Sequence, residues 1–233
     1  MKKVLLTLMI FAISALNAIA LPTKESKAVR DIITKVNDHW QSTNPAETRA
    51  FWDNAAYHTG NMEAYFLIGD EDWRDYSEKW AEHNLWMGAK GKDRSKWRYK
   101  QYGESDNHVL FGDWQICFQV YADLYKILPD DRRIKRAREV MEYQMSTPAN
   151  DYWWWSDGLY MVMPVMTKMY NITGNHKYLD KLYDYIVVSD SIMYDNDEGL
   201  YYRDAKYVYP KHKSANGKKD FWARGDGWVL AGL

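Results

Sequence analysis

Three short segments share one plan: Phe66-Leu67-Ile68-Gly69-Asp70-Glu71-Asp72-Trp73, Leu124-Tyr125-Lys126-Ile127-Leu128-Pro129-Asp130-Asp131 and Met169-Tyr170-Asn171-Ile172-Thr173-Gly174-Asn175-His176. Each joins a helix that is apolar on most faces to a helix that is apolar on one stripe, through a tight turn built on Gly or Pro. The chain is thus a series of helical hairpins, each with an inner and an outer member. Inner helices buried all round and outer helices buried on one side describe two concentric rings, so the expected fold is all-α, a toroid of helical hairpins.

Apolar spacing predicts helices from about Lys27 to Gln41, Asn54 to Leu67, Asp72 to Trp86, Phe111 to Leu128, Arg132 to Met145, Asp157 to Asn171 and His176 to Met193. The polar stretch from Gly88 to His108 reads as a long loop, of a length that in a compact domain is more often functional than idle. Trp228-Val229-Leu230-Ala231-Gly232-Leu233 opens a further apolar helix with no stop signal. About seven helices and the start of an eighth do not complete a ring, so the expectation is an incomplete N-terminal portion, truncated on its C-terminal side.

The first twenty residues are a separate object. Lys2 and Lys3 precede an apolar run from Val4 to Ala15, and Ala18-Ile19-Ala20 is a small-x-small cleavage site, the pattern of a secretory signal peptide. The expected organisation is a leader at 1–20 and one helical domain at 21–233, located in a periplasm or secreted. No Cys follows the cleavage site and no other segment approaches about 20 apolar residues, so no membrane anchor is expected. Cys117, the one cysteine, lies among Ile116, Phe118 and Val120 as a small core residue, which excludes a disulfide framework. A net charge of -1 gives no reason to expect nucleic acid or an anionic membrane as partner. The six histidines are scattered without ligand-like spacing, and no phosphate-cradling loop stands out, so no metal or cofactor is expected.

The aromatic bias points to a ligand class. There are 12 Trp and 19 Tyr against 6 Phe, and Trp and Tyr combine a stacking face with a polar edge, which suits a carbohydrate cleft. In Trp153-Trp154-Trp155-Ser156-Asp157-Gly158-Leu159-Tyr160-Met161, such a wall runs into a lone carboxylate at the mouth of an apolar helix. A carboxylate poorly solvated there has a raised pKa, as a proton donor near neutral pH requires. The alternative is that Asp157 only caps the helix.

Together with that stretch, Phe221-Trp222-Ala223-Arg224-Gly225-Asp226-Gly227-Trp228 resembles the unsaturated rhamnogalacturonyl hydrolases, glycoside hydrolase family 105, and their relatives in family 88, from about Trp52 to the last residue. The resemblance implies an (α/α)6 barrel over 21–233. It also implies removal of a 4,5-unsaturated uronic acid from the non-reducing end of pectin (rhamnogalacturonan) oligosaccharides made by a lyase. In that family an aspartic acid protonates C4 of the enol ether and guides water onto C5, and by position Asp157 is that residue. The family's second aspartate precedes this helix; Asp106 is preferred for its place in the loop, with Asp113 as the alternative. Trp155, Trp222 and Trp228 would line the sugar site, and Arg224 would pair with the substrate carboxylate as a planar bidentate donor. Some relatives carry His in the segment Gly199-Leu200-Tyr201-Tyr202-Arg203-Asp204; Arg203 there offers a second cation. His58 could reach the cavity or be a satisfied core histidine. Two other readings stand beside this one: a conventional glycosidase or epimerase on the same fold, and a helical-repeat carbohydrate-binding protein without chemistry.

Overall fold

The computed structural model describes residues 24–233, so the leader expected at 1–20 lies outside the described residues. The chain divides into two units, 1–44 and 45–233. In the first, α1 (Lys24–Thr43) ends where Ser42 and Thr43 hydroxyls turn back onto the His39 carbonyl, at 2.9 and 2.8 Å.

In the second unit α2 (Trp52–Ile68), α4 (Cys117–Ile127), α6 (Ser156–Thr173) and α8 (Ala223–Gly232) are neighbours in that order. Between them α3 (Glu71–His83), α5 (Asp131–Ser146) and α7 (Lys177–Met193) each return along the helix just completed. The inner members are buried broadly, α4 without a break from Cys117 to Leu124. The outer members bury a stripe, as with Trp73, Ser77, Trp80 and Ala81 of α3. This is the all-α hairpin pattern of an (α/α)6 barrel.

Turn chemistry sets the hairpins. Gly69 and Gly174 stop α2 and α6 at φ of 84° and 67°, and their N–H groups bond the carbonyls of Tyr65 and Tyr170. Asp70 and Asp130 then cap α3 and α5 by accepting from the N–H groups of Asp72 and Arg132. Two expected boundaries move. The helix expected to reach Trp86 ends at His83, because Leu85 and Trp86 take φ of 56° and 57° and bury the Trp86 indole under the Arg133 guanidinium, 4.9 Å away. The helix expected from Phe111 is first a 3-10 turn, Gly112–Trp114, and becomes α-helical at Cys117. A short hairpin, β1 (Tyr194–Asp195) with β2 (Leu200–Tyr201), joins α7 to the segment before α8 and was not expected.

Pro164 lies inside α6 and cannot donate to the Tyr160 carbonyl one turn earlier. Gln119, buried on α4, replaces the missing donor: its Nε2 bonds Tyr160 O at 2.9 Å and Met161 O at 3.2 Å. We expect Gln119→Leu to lower unfolding free energy by about 1–3 kcal/mol, the cost of leaving a buried carbonyl unpaired, with urea denaturation as the measurement. Gln119→Glu, which keeps the shape but loses the donor, should not recover it.

Candidate active site

Inner helices α4, α6 and α8 bring the site together at their N-terminal ends. α6 starts at Ser156, with Trp155 extended in the capping position and making no side-chain cap bond. Asp157 therefore sits inside the first turn, and the capping reading of this residue does not hold. The start of α6 is pinned from outside, since Ser156 N–H donates to Arg203 O at 2.9 Å and Trp155 forms an antiparallel bridge with Asp204. α8 closes from the other side. A Cβ on Gly225 would stand 2.6 Å from Ser156 Oγ and 2.7 Å from the Trp222 ring, so only glycine lets the two helix starts meet and sets Arg224 beside Asp157.

The carboxylates respond to this crowding. Burial raises the pKa of Asp157, and the charges of Arg224 and Arg203 oppose the rise. Asp113 is buried in the 3-10 turn ahead of α4, where burial and then the charges of Asp157, Glu104 and Asp53 push its carboxyl up to about 8. Gly112 admits this turn against α6, because a Cβ there would lie 3.1 Å from the Trp155 ring. Asp113, not the preferred Asp106, is thus the carboxyl that faces Asp157. Asp106 is exposed and serves its own loop, accepting from the N–H of Lys90 through Oδ1 and of Gly91 through its carbonyl.

The tryptophans divide. Trp153 belongs to the core, edge-on to Tyr185. Trp155 is only 6% exposed and stacks on Phe111 at 4.6 Å, so it backs the site instead of offering an open face. Trp154, the middle indole of the expected wall, is half-buried and lines an open cavity. Trp222 is half-buried with Arg224 4.5 Å and Arg203 5.9 Å from its ring centroid. Trp228 packs on Tyr160 at 4.7 Å, and its buried indole N–H has no protein partner. His58 is not in the site. It stacks on Trp80 at 4.1 Å and bonds Ser77 through Nδ1 at 3.0 Å, both on outer helix α3, and burial pushes it down to about 3. It is a neutral core histidine.

Arg203, Tyr207, Asp220, Phe221, Trp222 and Arg224 line a cavity of about 420 Å³. Asp220 is already engaged by His212 at 2.6 Å, which leaves the two guanidiniums as the charged groups open to a ligand. On the other side of Asp113, Arg49 holds both Glu104 (2.5 Å) and Asp53 (2.8 Å), and Glu104 also accepts from the Tyr102 hydroxyl. The sequence reading missed this rim, whose members come from two segments distant in sequence, 49–53 and 102–104. The arrangement can hold a planar anionic ring by its carboxylate over an indole, with two carboxyls of raised pKa at hand. Among the described residues no group of three or more His, Cys, Asp or Glu could hold a metal, and no helix is long and apolar enough to cross a membrane.

The family profile of Glycosyl Hydrolase Family 88 matches residues 25–233. A curated protein from Formosa agariphila, an unsaturated 3S-rhamnoglycuronyl hydrolase, is 26% identical over 98% of the chain. Among solved structures, a glycosyl hydrolase family 88 protein from Bacteroides vulgatus is 60% identical over 88% of the chain, with a TM-score of 0.87. One described as a polysaccharide lyase is 68% identical over 90%, with a TM-score of 0.88. The chain spans 59% of the length of each of these three relatives. A family 105 glycoside hydrolase from C. acetobutylicum, 18% identical with a TM-score of 0.61, shares the fold.

The raised carboxyl of Asp113 has a consequence for stability. From about pH 4 upward the unfolded chain has released this proton while the folded protein keeps it until about pH 8, so the group's contribution to stability falls across that window. Asp113→Asn, which imitates the protonated acid, should gain in Tm relative to the parent as pH rises from about 5 to about 8. Melting curves of both proteins across that range give the comparison; a constant difference would show that Asp113 is ionised throughout.

Proposed function

Since the chain belongs to glycosyl hydrolase family 88, we propose that it removes a 4,5-unsaturated uronic acid from the non-reducing end of an oligosaccharide by hydrating the double bond. The observation that carries this reading is the pairing of buried Asp113 with half-buried Asp157, on which the Arg224 charge acts, and Arg224 in turn lies over Trp222. Arg224 holds the uronate carboxylate and Trp222 meets the flat ring. Asp157 gives a proton to C4 and takes one from the water that adds to C5. The product hemiketal opens and releases the next sugar, so no second carboxylate has to attack the glycosidic bond itself. Asp113, kept protonated by burial and by its acidic neighbours, fills the role of the family's second aspartate by sharing its proton with Asp157.

For the substrate we propose pectin fragments of the rhamnogalacturonan kind. The motif resemblance supports this choice; curated relatives in Formosa agariphila and an Alteromonas species, both unsaturated 3S-rhamnoglycuronyl hydrolases, support an unsaturated uronate linked to rhamnose. The leader pattern at 1–20 supports action outside the cytoplasm, on oligosaccharides that a lyase has already released. A second reading, elimination, is favoured by the 68% identical structure described as a polysaccharide lyase.

The two readings move the ultraviolet absorbance of the unsaturated uronate in opposite directions. We expect lyase-made rhamnogalacturonan oligosaccharides to lose that absorbance, and Asp157→Asn to slow the loss by about 10²–10⁴-fold, the usual worth of a positioned acid–base group. Arg224→Lys should raise KM about tenfold while keeping charge, because it gives up the bidentate geometry. A gain in absorbance from intact polysaccharide would establish elimination instead, and reducing sugar released at constant absorbance would establish conventional hydrolysis.

A further inference from the structure

The described residues that line the cavity beside Asp157 all belong to one segment, 203–224. That segment is gathered by a carboxylate lying outside it, Asp195 of β1, which binds Tyr202 just before it and Lys219 within it. Resting on the hydrolysis reading, we infer that Asp195 is a positioning residue: by clasping Tyr202 and Lys219 together it fixes the gap between the Arg203 wall and the Trp222 wall, and so how tightly the unsaturated ring is held.

The geometry of the clasp is specific. Asp195 Oδ2 accepts from the Tyr202 hydroxyl at 2.7 Å, while Oδ1 accepts from Lys219 Nζ at 2.8 Å and from the N–H groups of Asp197 and Glu198 at 3.1 Å each. The two backbone donors belong to the hairpin's own turn, so the carboxylate cannot follow either side chain away. On the Arg203 side the chain has further anchors: Tyr202 is buried with its N–H on the Met193 carbonyl, Ser156 N–H donates to Arg203 O, and Asp204 bridges Trp155. The Trp222 side is tied back to the same hairpin. Lys219 reaches Asp195, Phe221 stacks on the Tyr202 ring at 4.7 Å, and Asp226 accepts from the Tyr201 N–H at 2.8 Å.

Lys219 also lies 3.4 Å from Asp197 and 4.0 Å from Glu198, but those side chains are 89% and 53% exposed against 10% for Asp195, so water and salt screen them. The Lys219 and Tyr202 donors hold the Asp195 carboxyl down to about 2, which keeps it charged wherever an acid–base enzyme works. Between its tethers the segment is braced within itself. Arg203 donates to the Tyr207 hydroxyl at 3.0 Å, the Tyr207 ring meets His212 at 4.7 Å, and His212 bonds Asp220 at 2.6 Å. A segment stiff inside and tethered at its ends carries a shift at Lys219 to the cavity wall. Asp113 and Asp157 stand outside it, in the turn before α4 and the first turn of α6.

The test reads KM against kcat on lyase-made rhamnogalacturonan oligosaccharides, with circular dichroism reporting the fold of each variant. Asp195→Ala and Lys219→Met should each raise KM about tenfold and leave kcat within about threefold, because binding geometry is lost while the two aspartates stay in place. Lys219→Arg, which keeps a cation there, should recover most of the loss. The double variant should be no worse than the worse single one, as two ends of one contact require. Removing the exposed acids, by Asp197→Asn with Glu198→Gln, should leave KM unchanged. If Asp195→Ala does not fold, Lys219→Met and its Arg rescue carry the comparison. An unchanged KM in Lys219→Met, a fall in kcat at constant KM, or single effects that multiply in the double variant overturns the inference. If the parent itself has no turnover, the hydrolysis reading fails alone, and limited trypsin digestion decides the clasp. Cleavage after Lys206, Lys211, Lys213 or Lys218 about tenfold faster in Lys219→Met than in the parent, with cleavage elsewhere unchanged, supports it; equal rates overturn it.

Discussion

Every hairpin in this protein returns the chain to the end it left. That constraint follows from a short turn after each inner helix and an outer helix of comparable length. All inner helices of the second unit consequently begin at one end, whatever their sequences, and their first turns become neighbours. Asp53, Asp113, Asp157 and Arg224 are distant in sequence yet lie in or just ahead of first turns, of α2, α4, α6 and α8. Helix N-termini carry partial positive charge and unpaired N–H groups, so the same topology that gathers the acids also supplies a field that tolerates them.

Within that gathering, the balance of charge is deliberate. Burial raises the pKa of both Asp113 and Asp157. The guanidiniums act on Asp157, while Asp113 has only acids as charged neighbours of consequence. Two similar carboxyls are thereby set apart: both are raised, Asp113 the further, while the guanidiniums oppose the rise of Asp157. The glycines at 112 and 225 are part of this electrostatics, since any larger residue would move a helix start and with it the distances that set the fields.

The hairpins were legible in the sequence because their determinants are local: apolar spacing within a helix and Gly, Pro or Asp at each turn. Asp157 was legible for the same reason, standing next to its own helix and its own tryptophans. Asp106 against Asp113 was not, because nothing local says which loop aspartate the rest of the chain will cover. Asp113 is buried by α6 and by the Gly112 turn, whereas Asp106 is tied off by the backbone of residues 90–91. His58 misled in the opposite direction, since its neighbours Trp80 and Ser77 belong to the outer ring and the pattern of α2 alone cannot say which ring a polar residue faces. The left-handed pair Leu85–Trp86 likewise owes its conformation to a guanidinium on another helix.

One contact in the core ties these levels together. Gln119 reaches from α4 to the carbonyl that Pro164 leaves open on α6, six residues beyond Asp113 on one side and three beyond Asp157 on the other. A side-chain amide bonded to two successive carbonyls works as a pawl: α4 cannot slide along α6 without breaking it. The proline that weakens one helix by itself therefore locks the axial register of two, and the spacing of the paired carboxyls is set about a helical turn below the chemistry they would perform.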